Sequence, residues 1–182
     1  MIEFIGAILT LLSAYYTVKE KVICWPLAIL SLIVYIPIFY HQKLYFQILS
    51  NVVMFYQCIV GWTYWNKTEE ATGIFLSRKY LIRDSLMSII LIIITIHLSV
   101  KYTDDSQSNL DVITTVLSLV ANWYIAKRFI DGFIIWVIVD IISVMMFISQ
   151  GMYWTSGLYL ILIGFAIQGY LKWKNNLRMV WC

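Results

Sequence analysis

The chain has 182 residues, of which 62% are hydrophobic and only 13% charged. Soluble domains carry ~45–50% apolar and ~25% charged residues, so this excess excludes an ordinary soluble globule and points to an integral membrane protein. The net charge of +3 gathers into no basic patch or stripe, which argues against a nucleic-acid partner.

A helix needs about 20 apolar residues to cross ~30 Å of hydrocarbon. Seven segments qualify: 2–18, 22–41, 44–65, 80–99, 109–126, 131–149 and 153–173. The first opens on Glu3 with no basic residue before it, unlike a cleaved signal peptide. The second opens "CWPLAILS" and holds Pro26 and Pro37, candidate kinks that a membrane helix tolerates. Along the third, Gln47, Asn51, Cys58, Trp62 and Trp65 form one stripe at helical spacing, with Gln57 beside it. Asn and Gln amides serve either a substrate or neighbouring helices, and the sequence leaves both readings open.

The loop that follows, "NKTEEATGIFLSRK", is the longest and most polar. The fourth segment contains "SIILIIITIHLSV", an unbroken apolar run and not the alternation of a membrane β-barrel strand. Its His97 stands alone and reads as structural. The fifth places Thr115, Ser118 and Asn122 at i, i+3 and i+7. The sixth places Trp136, Asp140 and Ser143 at i, i+4 and i+7, and Asp140 is an acid deep inside a span. An ionised carboxylate there is costly without a partner: it meets a ligand, is protonated, or bonds Asn122 or Ser118. The seventh carries Tyr159 and Gln168, with Gly164 and Gly169 as points of close helix approach.

Lys and Arg set the orientation. With the N-terminus outside, eleven of them fall inside (Lys19, Lys21, Lys67, Arg78, Lys79, Arg83, Lys127, Arg128, Lys172, Lys174 and Arg178) and two, Lys43 and Lys101, outside. The expected topology is N-out, C-in. An ungapped internal repeat appears at an offset of 108. It pairs Glu3 with Asp111, Tyr16 with Tyr124, Lys19 with Lys127, Phe39 with Phe147, Gln42 with Gln150, Gly61 with Gly169 and Trp65 with Trp173. Asn51 pairs with Tyr159, which places both at the pseudo-symmetric interface. The predicted fold is therefore an all-α membrane protein of two parallel three-helix repeats, 1–65 and 109–182. A loop and linker helix, 66–108, join them. Parallel repeats of this kind are a transporter signature, with substrate between the halves.

Enzyme signals are absent: no paired carboxylates in reach, no Ser-His-Asp set, no phosphate-binding Gly loop. Cys24, Cys58 and Cys182 have no metal-ligand spacing and their odd number suggests no disulfide framework. No cofactor or metal is expected.

The stretches "EFIGAILTLLSAYYTVKEK", "LYFQILSNVVMFYQCIVGWTYW" and "VLSLVANWYIAKRFIDGFIIWVIVDIISVMMFISQGMYWTSGLYLILIGFAIQGYLKW" resemble the PnuC family of bacterial vitamin transporters. The W-x-x-W of Trp62 and Trp65 is the most telling motif. The resemblance implies a SWEET-like seven-helix core in the bacterial inner membrane and facilitated uptake without ion or ATP coupling. It also implies trapping of the vitamin by a separate kinase, and a homo-oligomer, a trimer among the options. The substrate it points to first is nicotinamide riboside. Thiamine is the alternative, because "CWPLAILS" looks closer to thiamine-type members, and riboflavin stays open. Both leading substrates carry a cationic ring, which Asp140 could neutralise and Trp136 stack. The expected substrate-binding residues are Asn51, Gln57, Trp62, Asn122, Trp136, Asp140, Ser143 and Tyr159, with Gln47, Ser118, Gln168 and Trp65 as further lining. A membrane binding or scaffold protein that moves nothing is the reading from another class.

Overall fold

The structure, a computed structural model, describes residues 2–41, 45–67, 109–149, 151 and 153–180. Six helices carry this part of the chain: α1 (Ile2–Val18), α2 (Cys24–His41), α3 (Tyr45–Lys67), α4 (Asn109–Ala126), α5 (Asp131–Ser149) and α6 (Tyr153–Val180). The fourth apolar segment, 80–99, and most of the polar loop before it lie outside the described residues.

Five helices follow the apolar spans within about two residues, as boundaries set by hydropathy should. The last differs: α6 continues seven residues beyond position 173, through Lys174 and Arg178 to Val180. Hydropathy marks where a segment stops being apolar. It does not stop a helix whose extension holds Lys174, Leu177, Arg178 and Met179, good helix formers that outnumber the weaker Asn175, Asn176 and Val180. Pro26 sits in the first turn of α2, where its missing N–H breaks no intrahelical bond. Pro37 lies inside the same helix.

The outer faces are apolar. On α5, Ile134, Ile138, Ile141, Met145 and Ile148 recur every three or four residues and are all exposed. On α3, Val52, Phe55, Tyr56, Ile59 and Trp62 do the same. Continuous exposed apolar stripes of this kind suit lipid, not water. Helices 24–41 and 131–149 are each long and apolar enough to cross a membrane. Polar groups are instead enclosed: Ser31, Gln57, Thr114, Asp140, Ser143 and Ser156 are all buried.

The helices pack in a closed ring. Each touches its neighbours in chain order, α3 meets α4, and α6 returns to α1. Around this ring the offset of 108 recurs in the backbone. The turn after α1 and the turn after α4 share a hydrogen-bond pattern. Lys19 N–H donates to Tyr15 O (3.2 Å), Glu20 to Thr17 (3.0 Å) and Lys21 to Tyr16 (3.0 Å). In the second half Lys127 donates to Trp123 (3.1 Å), Arg128 to Ile125 (3.0 Å) and Phe129 to Tyr124 (2.8 Å). Glu20 and Arg128, equivalent under the offset, both adopt left-handed conformations, with φ 59° and 62°. Such residues close helix C-termini by turning the chain back onto the last carbonyls.

Side chains repeat as well. A Cβ on Gly61 would collide with the Trp25 indole, and one on Gly169 with the Phe133 ring. The Trp25 and Trp65 rings meet edge-on at 5.3 Å, and their equivalents Phe133 and Trp173 at 4.9 Å. Trp65 and Trp173 then meet each other at 5.7 Å. Two glycine notches, each filled by an aromatic ring, thus converge on one aromatic cluster at one end of the ring of helices. The Arg128 guanidinium covers Trp65, 4.4 Å from the ring centroid.

Candidate functional site

A ring of six helices leaves space on its axis when small residues face inward. Here Ala14, Ala28 and Ala166, together with Thr10, Ser13, Thr17 and Ser31, line a central cavity of about 190 Å³. All six helices contribute to its wall. Aromatic rings of Trp25, Phe133, Trp136 and Phe165 narrow it, and its polar groups are few. The combination of apolar walls and a few polar groups is typical of small-molecule sites.

The wall is pseudo-symmetric in backbone and asymmetric in chemistry. Seven of the eight lining positions from the second half are equivalent, at the offset of 108, to lining positions in the first. The equivalents differ in character: Leu32 faces Asp140 as its counterpart, Ala14 Asn122, Ala28 Trp136 and Thr17 Ile125. The first half therefore supplies hydroxyls, and the second supplies a carboxylate, an amide and an indole.

Asp140 is the dominant electrostatic feature. It is 2% exposed, and its Oδ1 has no hydrogen-bond partner among the described residues. Asn122 on α4, a partner the sequence offered for Asp140, bonds Gln57. Its Nδ2 donates to Gln57 Oε1 at 3.0 Å, and Gln57 Nε2 donates to Leu119 O at 3.1 Å. This pair ties α3 to α4 immediately behind the cavity wall. Trp25 Nε1 is a second group on the wall without a partner among the described residues. A carboxylate oxygen and an indole N–H left open in one cavity each lack the bond that a buried polar group requires.

The hydroxyls are organised by backbone carbonyls. Thr10 Oγ1 donates to Gly6 O (3.0 Å), and Ser31 Oγ reaches the same carbonyl (3.2 Å). The two hydroxyl oxygens lie 2.8 Å apart. Ser13 Oγ donates to Cys24 O and Thr17 Oγ1 to Ser13 O, both at 2.9 Å.

Of the residues singled out in the sequence, Asn122, Trp136 and Asp140 line the cavity together, and Cys58 lines it from the third-helix stripe. Gln57 is one hydrogen bond behind. The others lie elsewhere. Asn51 Nδ2 reaches Leu32 O at 3.5 Å. Ser143 is buried and donates to Val139 O, and Ser118 donates to Thr114 O. Tyr159 stacks on Phe147 with centroids 5.3 Å apart. Trp62 and Gln168 are exposed. Trp65 is buried in the aromatic cluster, where its Nε1 donates to Ala126 O at 3.2 Å. The side chain of Gln47 lies outside the described residues. The hydroxyl wall of Thr10, Ser13, Thr17 and Ser31 was missed. Its signal was present, since Thr10, Ser13 and Thr17 follow the same i, i+3, i+7 spacing that drew attention to Thr115, Ser118 and Asn122.

The sequence matches the nicotinamide mononucleotide transporter family over residues 1–175. The nicotinamide riboside transporter PnuC of Escherichia coli (strain K12) is 25% identical over 206 aligned residues, covering 97% of this chain and 86% of its own. That of Shigella flexneri matches to the same extent. The crystal structure of a vitamin B3 transporter, PnuC, superposes with a TM-score of 0.82 at 19% identity, covering 98% of this chain and 82% of that one. At that identity the likeness shows the fold.

Proposed function

The chain belongs to the nicotinamide mononucleotide transporter family, and on that premise we propose that it is a facilitator for a cationic vitamin of nucleoside size, nicotinamide riboside. The observation that carries this reading is Asp140, a buried carboxylate on the cavity wall with an unpartnered oxygen, beside the Trp136 indole. A positively charged aromatic ring answers both groups, by charge and by stacking on the indole face. The volume of about 190 Å³ is below the ~300–1,000 Å³ of drug-sized pockets, which suits a single nucleoside. No Lys or Arg is among the described residues that line the cavity. A phosphate would find a carboxylate there and no counter-charge, so the riboside fits better than the mononucleotide of the family's label.

In this proposal two three-helix units and a linker helix form a seven-helix core in the bacterial inner membrane. The recurrence of turns, notches and aromatic contacts at the offset of 108 supports it. The excess of Lys and Arg on one side favours N-out, C-in. The substrate moves down its own gradient by uniport through a homo-oligomeric carrier, and a separate kinase retains it inside the cell. Asn122, Trp136 and Asp140 contact it directly. Gln57 holds Asn122, and Asn51, Ser143, Tyr159, Trp62, Gln47, Ser118, Gln168 and Trp65 shape the path or the helices around it.

The test is ligand-dependent melting of the purified protein. A ligand at 100 times its Kd stabilises the folded state by ~2.7 kcal/mol. Nicotinamide riboside is expected to raise the melting temperature and to exchange across liposomes containing the protein. No shift and no exchange with nicotinamide riboside, thiamine or riboflavin would sink the transport reading.

A further inference from the structure

The cavity has a second polar feature that the cationic ring does not use. Thr10 on α1 and Ser31 on α2 hold their hydroxyl oxygens 2.8 Å apart, and both reach the Gly6 carbonyl. With the hydroxyl protons directed to that carbonyl and to each other, the pair presents lone pairs to the cavity. It accepts hydrogen bonds better than it donates them. Trp25, 3% exposed, lines the same cavity, and its unpartnered Nε1 can only donate. The cavity thus offers a pair of acceptors at Thr10 and Ser31 and, six residues earlier along α2, a fixed donor at Trp25, whose ring packs against Gly61. In the ring of helices α2 stands across from α5, so the hydroxyl pair lies on the side of the cavity opposite the helix that carries Asp140.

We propose that Thr10 and Ser31 form the subsite for the sugar of the substrate and set its specificity. This rests on the reading of the site as one for a cationic riboside. Sugar hydroxyls donate to the Thr10 and Ser31 oxygens. The substrate then spans the cavity, with its charged ring at Asp140 and its polyol end at α1 and α2. The same geometry ranks ligands. A riboside with vicinal hydroxyls satisfies the pair, whereas thiamine, with one primary hydroxyl on a flexible arm, satisfies at most part of it.

A ligand–protein cycle tests this on the full chain in detergent. Affinities of nicotinamide riboside and its 2′-deoxy and 3′-deoxy analogues are measured for the wild type and for Thr10→Val/Ser31→Ala, with Ser31→Ala alone as the milder variant. One neutral hydrogen bond is worth ~0.5–1.5 kcal/mol, a ~2- to 10-fold change in Kd. In the wild type at least one deoxy analogue should bind weaker by that factor. In the variants the riboside should lose the same factor, and the deoxy analogue should bind as well as the riboside. If riboside and deoxy analogues keep the same ratio in wild type and variants, the subsite is refuted while the substrate reading stands. If the wild type binds no riboside at all, the substrate reading fails, and the subsite with it.

Discussion

Replacing Asp140 by Asn separates a functional carboxylate from a structural one, because the two roles predict opposite changes in stability. Asp140 is 2% exposed and its Oδ1 has no partner among the described residues. A buried charge without a counter-charge costs several kcal/mol even after local relaxation. Asn keeps the shape and one carbonyl oxygen but carries no charge, so ligand-free Asp140→Asn should melt at a higher temperature than the wild type. Binding should move the other way. A hydrogen bond to a charged group is worth ~1.5–3 kcal/mol, and each ~1.4 kcal/mol is tenfold in Kd. Nicotinamide riboside should therefore bind about 10- to 100-fold more weakly. The assay is a melting curve without ligand and a titration of the melting shift with it. A variant that melts lower than wild type yet binds the riboside with unchanged affinity would refute the reasoning and make Asp140 part of the scaffold.

Two further outcomes follow from the aromatic cluster. Trp65→Phe and Trp173→Phe remove the same ring volume from equivalent sites, but only Trp65 loses a hydrogen bond, to Ala126 O. Trp173 Nε1 has no partner among the described residues, so Trp65→Phe should be the more destabilising by about 1–3 kcal/mol in denaturant or thermal unfolding. Equal losses would contradict it. Gly61→Ala and Gly169→Ala each force a methyl against an aromatic ring. Overpacking costs ~1–3 kcal/mol, offset by at most ~1 kcal/mol of helix preference for Ala over Gly. Both variants should lower the melting temperature, and a neutral result at either would remove its notch.

The helices were legible in the sequence because hydrocarbon thickness imposes a length on each apolar run, and five of the six described helices end close to where those runs end. The C-terminal helix exceeded its run because Lys174 and Arg178 end the apolar stretch without ending the helix. Asp140, Trp136 and Asn122 were legible as polar or aromatic positions whose presence in a span is costly unless used. The hydroxyl wall was harder to see. Thr and Ser cost little in a membrane helix, since they can bond a carbonyl one turn back, as Thr10, Thr17, Ser118 and Ser143 all do. Their presence signals nothing until the packing shows which of them face a space. Trp65 illustrates the converse: its stripe pointed toward the interior, and the interior it reached was an aromatic cluster instead of the cavity.

The unequal pairing of the cavity positions also bears on how such a protein could arise. A cavity assembled from two copies of the first half would place leucine at both Leu32-type positions, leaving hydroxyls and no charge. Two copies of the second half would set one Asp140 against another, two carboxylates across a space of about 190 Å³. Joining both halves in one polypeptide frees each wall to mutate without its twin, and that freedom is visible where Leu32 stands opposite in sequence to Asp140 and Ala28 to Trp136.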